Sequence, residues 1–339
     1  MAKYLLLLFF CILPLMLIGQ SVQSIVVDGK TNETIPGVFV FLENTSIGTS
    51  TDIDGHFSLD VSKAPDLKLV LSHMNYELKS LDQKSIPDTI KLNSQSVNIQ
   101  EFVVRSRLNK SIRRRRLSTF KSALLGSKVK RKLVQLLNPE VLLFEKVDGV
   151  LSAKAIAPLE IKNKYLGYLI TFYLKEFTLN AKNQLVFSGN VFYQELDGTV
   201  DEKRQLEKNR EYTYNNSSRK FFKELYHNDV SSKEYVLGYS SVSFPEGITR
   251  FHETKLKKVE LNRLPNEELE IPIESNFTVI INKYTPDKFY ETATYFNSSS
   301  NNIIVNKFGR IVNSREVRNN GYWSEDRLDT LLPLNFSLD

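Results

Sequence analysis

From Ser24 onward the sequence is written in short runs of β-branched and aromatic residues separated by turn formers, and this punctuation restricts the fold more than any other feature. The runs SIVVDG, TNETIPGVFVFLEN, SIGTSTDIDGHFSLD and LKLVLSHMNYELKSL follow one another, with DTIKL and EFVV behind them. Short runs rich in Val, Ile, Phe and Thr, bounded by Gly, Pro, Asn and Asp, read as the strands of an all-β sandwich. Asp54-Gly55 lies between two of them. Because a two-residue hairpin turn of the favoured type needs positive φ at both central positions, Asp-Gly predicts a hairpin there. The stretch Asp52-Ile53-Asp54-Gly55 also offers carboxylates of the kind calcium takes, but no glutamate follows at the spacing of an EF-hand loop, so it is read as the turn alone.

The order VVD, IPGVFVFLE, GTSTDIDGHFSL between Ser24 and Leu59 resembles the carboxypeptidase regulatory-like domain, a transthyretin-type β-sandwich. Its strongest words are Ile35-Pro36-Gly37-Val38 and Gly48-Thr49, followed by Thr51-Asp52 and Gly55-x-Phe57, and the resemblance runs to roughly Arg105. Ser24 and Asn32 stand where that family usually has glycine, and Asn75 precedes Tyr76 where Gly-Tyr is usual. Asparagine tolerates the left-handed conformation, so these departures weaken local turns and leave the fold intact. The resemblance implies a non-catalytic accessory module, of a kind found at the start of bacterial envelope proteins and outer-membrane receptors.

Ahead of this module, Lys3 precedes fifteen unbroken apolar residues, Tyr4 to Ile18, closed by Gly19. A transmembrane helix needs about 20 apolar residues, so a short run with Pro14 inside it is read as a signal peptide, residues 1–19, with Gln20 first in the exported chain. Cys11 lies within the run behind Phe10, where a lipoprotein site would need a small residue. No other cysteine exists, so the exported chain has neither disulfides, a thiol nucleophile nor thiolate metal ligands.

The 339 residues exceed one typical domain, and four parts are expected: the signal peptide, the sandwich over 20–106, a basic helical connector over 107–139, and a strand-rich α+β second domain over 140–339. The fold class is therefore mainly β. The connector is the conspicuous part. No acidic residue lies between Glu101 and Glu140, while twelve lysines and arginines fall between Arg105 and Lys132. The chain as a whole carries only +6, so its positive charge is concentrated here. Leu117, Phe120 and Leu124, then Val129, Leu133 and Leu136, recur at helical spacing around a break at Gly126-Ser127 and before a stop at Asn138-Pro139, which predicts two short amphipathic helices. Arg113, Arg114, Arg115, Arg116, Lys128, Lys130, Arg131 and Lys132 are the candidate anion-binding residues. An exported protein rarely meets nucleic acid, so none is expected as a partner; anionic lipid, lipopolysaccharide or the protein's own second domain remain, and arginines that cover the second domain are the favoured reading.

In the second domain KYLGYLITFYLKEFTLN and QLVFSGNVFYQEL read as adjacent strands, NFTVIINKY, FYETATYF and NIIVNKFGRIVN as a later set, the last turning at Phe308-Gly309. A helix over Arg219 to Asn228, capped by Ser217 or Ser218, interrupts them, and a final helix from about Ser324 to Leu331 stops at Pro333. NKYLGYLITFYL, the Tyr212 to Phe222 segment with its Ser-Ser-Arg-x-Phe-Phe, and GYWSEDRLDTLLP resemble an uncharacterised region that follows the same sandwich in bacterial envelope proteins; no activity comes with that resemblance. Trp323, Tyr322, Tyr165, Tyr168, Tyr173 and Phe172 offer an aromatic platform for a sugar, although aromatics alternating along strands are more often core.

Catalytic patterns are missing. His56, His73, His227 and His252 are scattered, and His252-Glu253 is followed by Leu256 where a zinc-peptidase helix has its second histidine. Gly238-Tyr239-Ser240-Ser241-Val242 lacks the closing glycine of a nucleophile elbow, and Glu267, Glu268 and Glu270 are acids in a polar loop. The expectation is a non-catalytic envelope protein, without metal or cofactor, that binds envelope proteins or surface glycans. The competing classes are a hydrolase and a factor that binds lipopolysaccharide or anionic lipid.

Overall fold

The computed structural model describes residues 21–95, 109–129, 132–243, 247–255, 259–273, 275–281 and 291–338. The expected signal peptide, the EFVV run, Lys130 and Arg131 lie outside the described residues. The protein is mainly β, and its buried side chains fall into three clusters.

The first cluster fills the N-terminal sandwich. Its strands are β1 (Ser21–Asp28), β2 (Phe39–Leu42), β3 (Gly48–Ser50), β4 (His56–Asp60), β5 (Leu69–Ser72), β6 (Lys79–Leu81) and β7 (Thr89–Leu92), arranged in two sheets of order β4-β1-β7 and β3-β2-β5-β6. Alternation puts Phe57 and Leu59 of one sheet against Val40, Leu42, Leu69 and Leu71 of the other. Asp54-Gly55 does not close a hairpin. The strands on either side of it belong to different sheets, β3 pairing with β2 and β4 with β1, and of the two residues only Gly55 has positive φ. The Asp52 carboxylate accepts from the N–H groups of Asp54 and His56 and folds the loop into a crossover. The same dipeptide at Asp148-Gly149 is the true two-residue hairpin turn, with φ of 48° and 82° and Val147 opposite Val150.

The second cluster begins with α1 (Lys110–Leu125), capped by the Asn109 side chain, which accepts from the Ser111 N–H. Then come β8 (Val134–Leu136), β9 (Leu142–Val147), β10 (Val150–Ala155), β11 (Leu159–Asn163), β12 (Tyr168–Leu179) and β13 (Leu185–Glu195) in one six-stranded sheet. Phe120 and Leu124 seat the helix on it, with the Phe120 ring 4.5 Å from that of Phe177. The second connector helix is not formed. Val134 and Leu136 are buried on either side of exposed Gln135, a period of two, and they pair with Asn163 and Ile161 at the edge of β11.

Two helices lead to the third cluster. One, α2 (Val200–Asn215), was not among the sequence expectations, yet a reciprocal capping box marks its start: Glu202 N–H donates to the Thr199 hydroxyl and Thr199 N–H to the Glu202 carboxylate. The other, α3 (Ser218–His227), is the expected helix with Ser217 as its cap. It buries Phe221, Phe222, Leu225 and Tyr226 against two sheets. These are built from β14 (Tyr235–Ser243), β15 (Gly247–Thr254), β16 (Asn262–Arg263), β17 (Leu269–Pro272), β18 (Asn276–Ile281), β19 (Ala293–Ser298), β20 (Asn302–Val305) and β21 (Val317–Gly321) in the orders β15-β14-β18-β19-β21 and β16-β17-β20.

The sandwich is seated on the body formed by the other two clusters. Phe41 and Val70 face away from the sandwich core and are fully buried. The Phe41 ring stacks on Tyr173 at 5.4 Å and meets Phe192 edge-on at 5.6 Å. The turn between β2 and β3 covers the open edge of β13, Asn44 N–H donating to Val191 O and Tyr193 N–H to Thr45 O. The terminal segment completes the joint: Leu334 enters the sandwich core and donates its N–H to Asn44 O, while Asn335 bonds to Ser46.

Candidate functional site

The arginine quartet is divided by helical phase. Arg113 and Arg116 turn inward and donate to main-chain carbonyls at the start of β9, Arg113 to Pro139, Glu140 and Leu142 and Arg116 to Phe144. Arg114 and Arg115 point to solvent, as does Lys132. Lys128 leaves the basic set altogether: its ammonium donates to Asp326 at 2.8 Å and to Tyr322 O at 2.9 Å, over the Tyr322 ring. The inward arginines thus meet the body through carbonyls and not through carboxylates.

Beyond α1 lies a buried polar knot. Leu328 and Asp329 N–H donate to the carbonyls of Leu124 and Leu125 and so end α1. That commitment is why the expected helix over 324–331 is reduced to a 3-10 turn at Tyr322–Glu325: the amides that would continue it are engaged elsewhere. Arg327 donates to Ala123 O, Ser324 O and Asp326 O, and Asn163, fully buried, donates to Leu328 O and Asp329 O while accepting from Tyr165 and Leu166 N–H. The Asp329 carboxylate, 1% exposed, accepts from Val129 N–H through one oxygen and has no partner on the other. That second oxygen rests on Gly126, whose φ is +92° and whose Cβ, if it had one, would lie 2.3 Å away, so only glycine fits.

Burial raises the pKa of Asp329, against the opposing pull of the Val129 N–H and Lys128, and burial likewise raises Asp326 against Lys128. A carboxyl whose pKa is higher folded than unfolded favours the native state when protonated, and that contribution is lost as pH rises from about 4 through the folded value. Asp329→Asn keeps the acceptor for Val129 and removes the charge. Its stability relative to wild type is expected to improve between pH 4 and 7, measured by urea unfolding at each pH. Parallel curves for the two proteins would contradict this.

Beside the knot, between the two body clusters, opens a cleft of about 860 Å³. Its walls carry three tyrosines, Tyr165, Tyr212 and Tyr322, with Thr213, Asn216 and Ser324 and the carboxylates of Glu291, Glu325 and Asp326. Lys128, the one basic residue among its described lining, is already held by Asp326. Tyr212, on α2, is 58% exposed. The sequence list of aromatics contributes only Tyr165 and Tyr322 to this place. Trp323 is buried against Phe221 and donates its indole N–H to Asn216 O, Phe172 and Tyr168 are core, and Tyr173 faces the sandwich. Tyr212 and Asn216 were missed because α2 was missed; the Thr199-x-x-Glu202 box was the signal that would have placed them.

His56, His227 and His252 are exposed, and His73 accepts from Asn75 N–H at the end of the sandwich. Among the described residues no three His, Cys, Asp or Glu side chains come together as a metal site. No described helix is long and apolar enough to cross a membrane.

Residues 24–104 match the family of the CarboxypepD_reg-like domain. No curated protein and no solved structure matches the chain.

Proposed function

With a carboxypeptidase regulatory-like domain as its N-terminal module, we propose that this chain is an exported, non-catalytic binding protein of the bacterial envelope and that its ligand is a neutral surface glycan held in the cleft of the body. The lining of the cleft carries this reading. Tyrosine faces stack on the C–H surfaces of a sugar ring, and amide, hydroxyl and carboxylate groups receive and donate its hydroxyl hydrogen bonds. Asp326 neutralises Lys128, the one cation among the described residues of the wall, so the reading favours hydrogen-bonding capacity in the ligand over negative charge. The apolar stretch Tyr4 to Ile18 supports export. The sandwich serves as a fixed accessory, since Phe41, Val70 and Leu334 lock it to the body and leave it no swing.

Tyr212 is the residue to test because its exposed ring lies on the cleft wall. Titration calorimetry with polysaccharide released from the native envelope is expected to give saturable binding that Tyr212→Ala weakens about tenfold or more, with an unchanged melting temperature. Identical titrations for the two proteins, or cleavage of the polysaccharide, would contradict the reading.

A further inference from the structure

We propose that the outward face of α1 is a docking surface for a bilayer of anionic lipid, separate from the cleft and independent of what the cleft holds. The helix sorts its residues into two faces. Arg113, Arg116, Leu117, Phe120 and Leu124 turn toward the body, where both arginines are committed to carbonyls. The face at Ser111, Arg114, Arg115, Ser118, Thr119 and Ser122 is exposed along the length of the helix.

Three properties of that face select the partner. It is purely cationic: Lys110, Arg114 and Arg115 are exposed, no acidic residue occurs between Glu101 and Glu140, and neither Arg114 nor Arg115 pairs with a carboxylate among the described residues. Beside the cations this face carries short side chains, Ser111, Ser118, Thr119 and Ser122, which let a flat surface approach. At its N-terminal rim Ile112, 36% exposed, offers an apolar contact of the kind that enters the headgroup region. The face lacks the deep aromatic anchors that dominate protein interfaces. Its guanidinium groups, free to fork onto phosphate oxygens, suit a surface that presents many phosphates at no fixed spacing.

The division of the quartet makes the proposal testable without confusing binding with folding. Wild type, Arg114→Gln/Arg115→Gln and Arg113→Gln/Arg116→Gln are compared by sedimentation with phosphatidylglycerol vesicles and with phosphatidylcholine vesicles, across a salt series. All three share residues 1–20, so any contribution of that apolar stretch cancels in the ratios. Each arginine that reaches the headgroups contributes about fivefold to partitioning, so the outward pair together account for roughly 25-fold. The outward variant is expected to lose that factor on phosphatidylglycerol with an unchanged melting temperature, and the wild-type advantage is expected to shrink as salt shortens the Debye length. The inward variant is expected to melt earlier and, while folded, to partition like wild type. Equal partitioning of wild type and the outward variant, or wild-type binding to phosphatidylcholine as tight as to phosphatidylglycerol, overturns the proposal.

Discussion

Arg219→Met is expected to cost the folded protein about 3–5 kcal/mol, read as a fall in the denaturation midpoint at constant slope. Arg219 sits at the start of α3 and has no carboxylate partner among the described residues. Its guanidinium instead donates to the carbonyls of Phe308, Pro333, Leu334 and Phe336, with Leu332 at 3.5 Å. Burial pulls its pKa down, and the rings of Tyr214, Tyr193 and Tyr168 around it partly offset that. Methionine fills a similar volume and supplies none of the donors, leaving several carbonyls short of a partner at roughly 1–3 kcal/mol each before any rehydration. The effect also spreads. The residues clamped by Arg219 are the ones that carry Leu334 into the sandwich core, so the segment that joins the units loses its anchor. Arg219→Lys keeps the charge but reaches one or two acceptors instead of the full fork, and is expected to recover less than half of the loss. A cost below 1 kcal/mol for the methionine variant would contradict this assignment.

Phe41→Ala is the second large effect. The ring is fully buried, and it packs on the body through Tyr173 and Phe192. Truncating a buried phenylalanine costs about 3–5 kcal/mol, part transfer and part cavity. The full chain is expected to lose that amount. A fragment spanning residues 21–104 carries its own core in Val40, Leu42, Phe57, Leu59, Leu69 and Leu71 and is expected to unfold cooperatively alone. In that fragment the face of Phe41 that meets Tyr173 and Phe192 is open to solvent, so the same substitution is expected to change its stability by less than about 0.5 kcal/mol. Similar losses in both proteins would mean that Phe41 serves the sandwich itself, against the packing described here.

What the sequence made legible was local. Ser217 before an amphipathic stretch placed α3 correctly, and the long alternating runs around Phe172 and Val191 identified β12 and β13 as neighbours, since both signals are written within a few residues. The errors arose where a distant partner decides the outcome. Asp54-Gly55 and Asp148-Gly149 are the same dipeptide between strand-like flanks. Only the pairing of β4 with β1 makes the first a crossover, and only the pairing of β9 with β10 makes the second a hairpin. Residues 324–331 have helical spacing, but the carbonyls of Leu124 and Leu125, some two hundred residues earlier, capture the amides that a helix needs. The continuous run Phe39-Val40-Phe41-Leu42 carried a readable sign that β2 is covered on both faces, although not of what covers it. The site suffered most. A run of four arginines reads as one patch until α1 assigns two to the protein and two to solvent, and a cleft made by α2, the β21 end and the polar knot has no signature in any single stretch.

On the function proposed above, ligand binding takes place in the body and the sandwich plays a fixed, supporting part. Hydrogen–deuterium exchange of the whole protein, with and without saturating envelope polysaccharide, tests this most directly. Added protection is expected in residues 126–129, 212–216 and 321–330 around the cleft, with the sandwich loops at 52–55 and 73–75 unchanged. Protection confined to those sandwich loops, or none anywhere under conditions where calorimetry shows saturation, would contradict it.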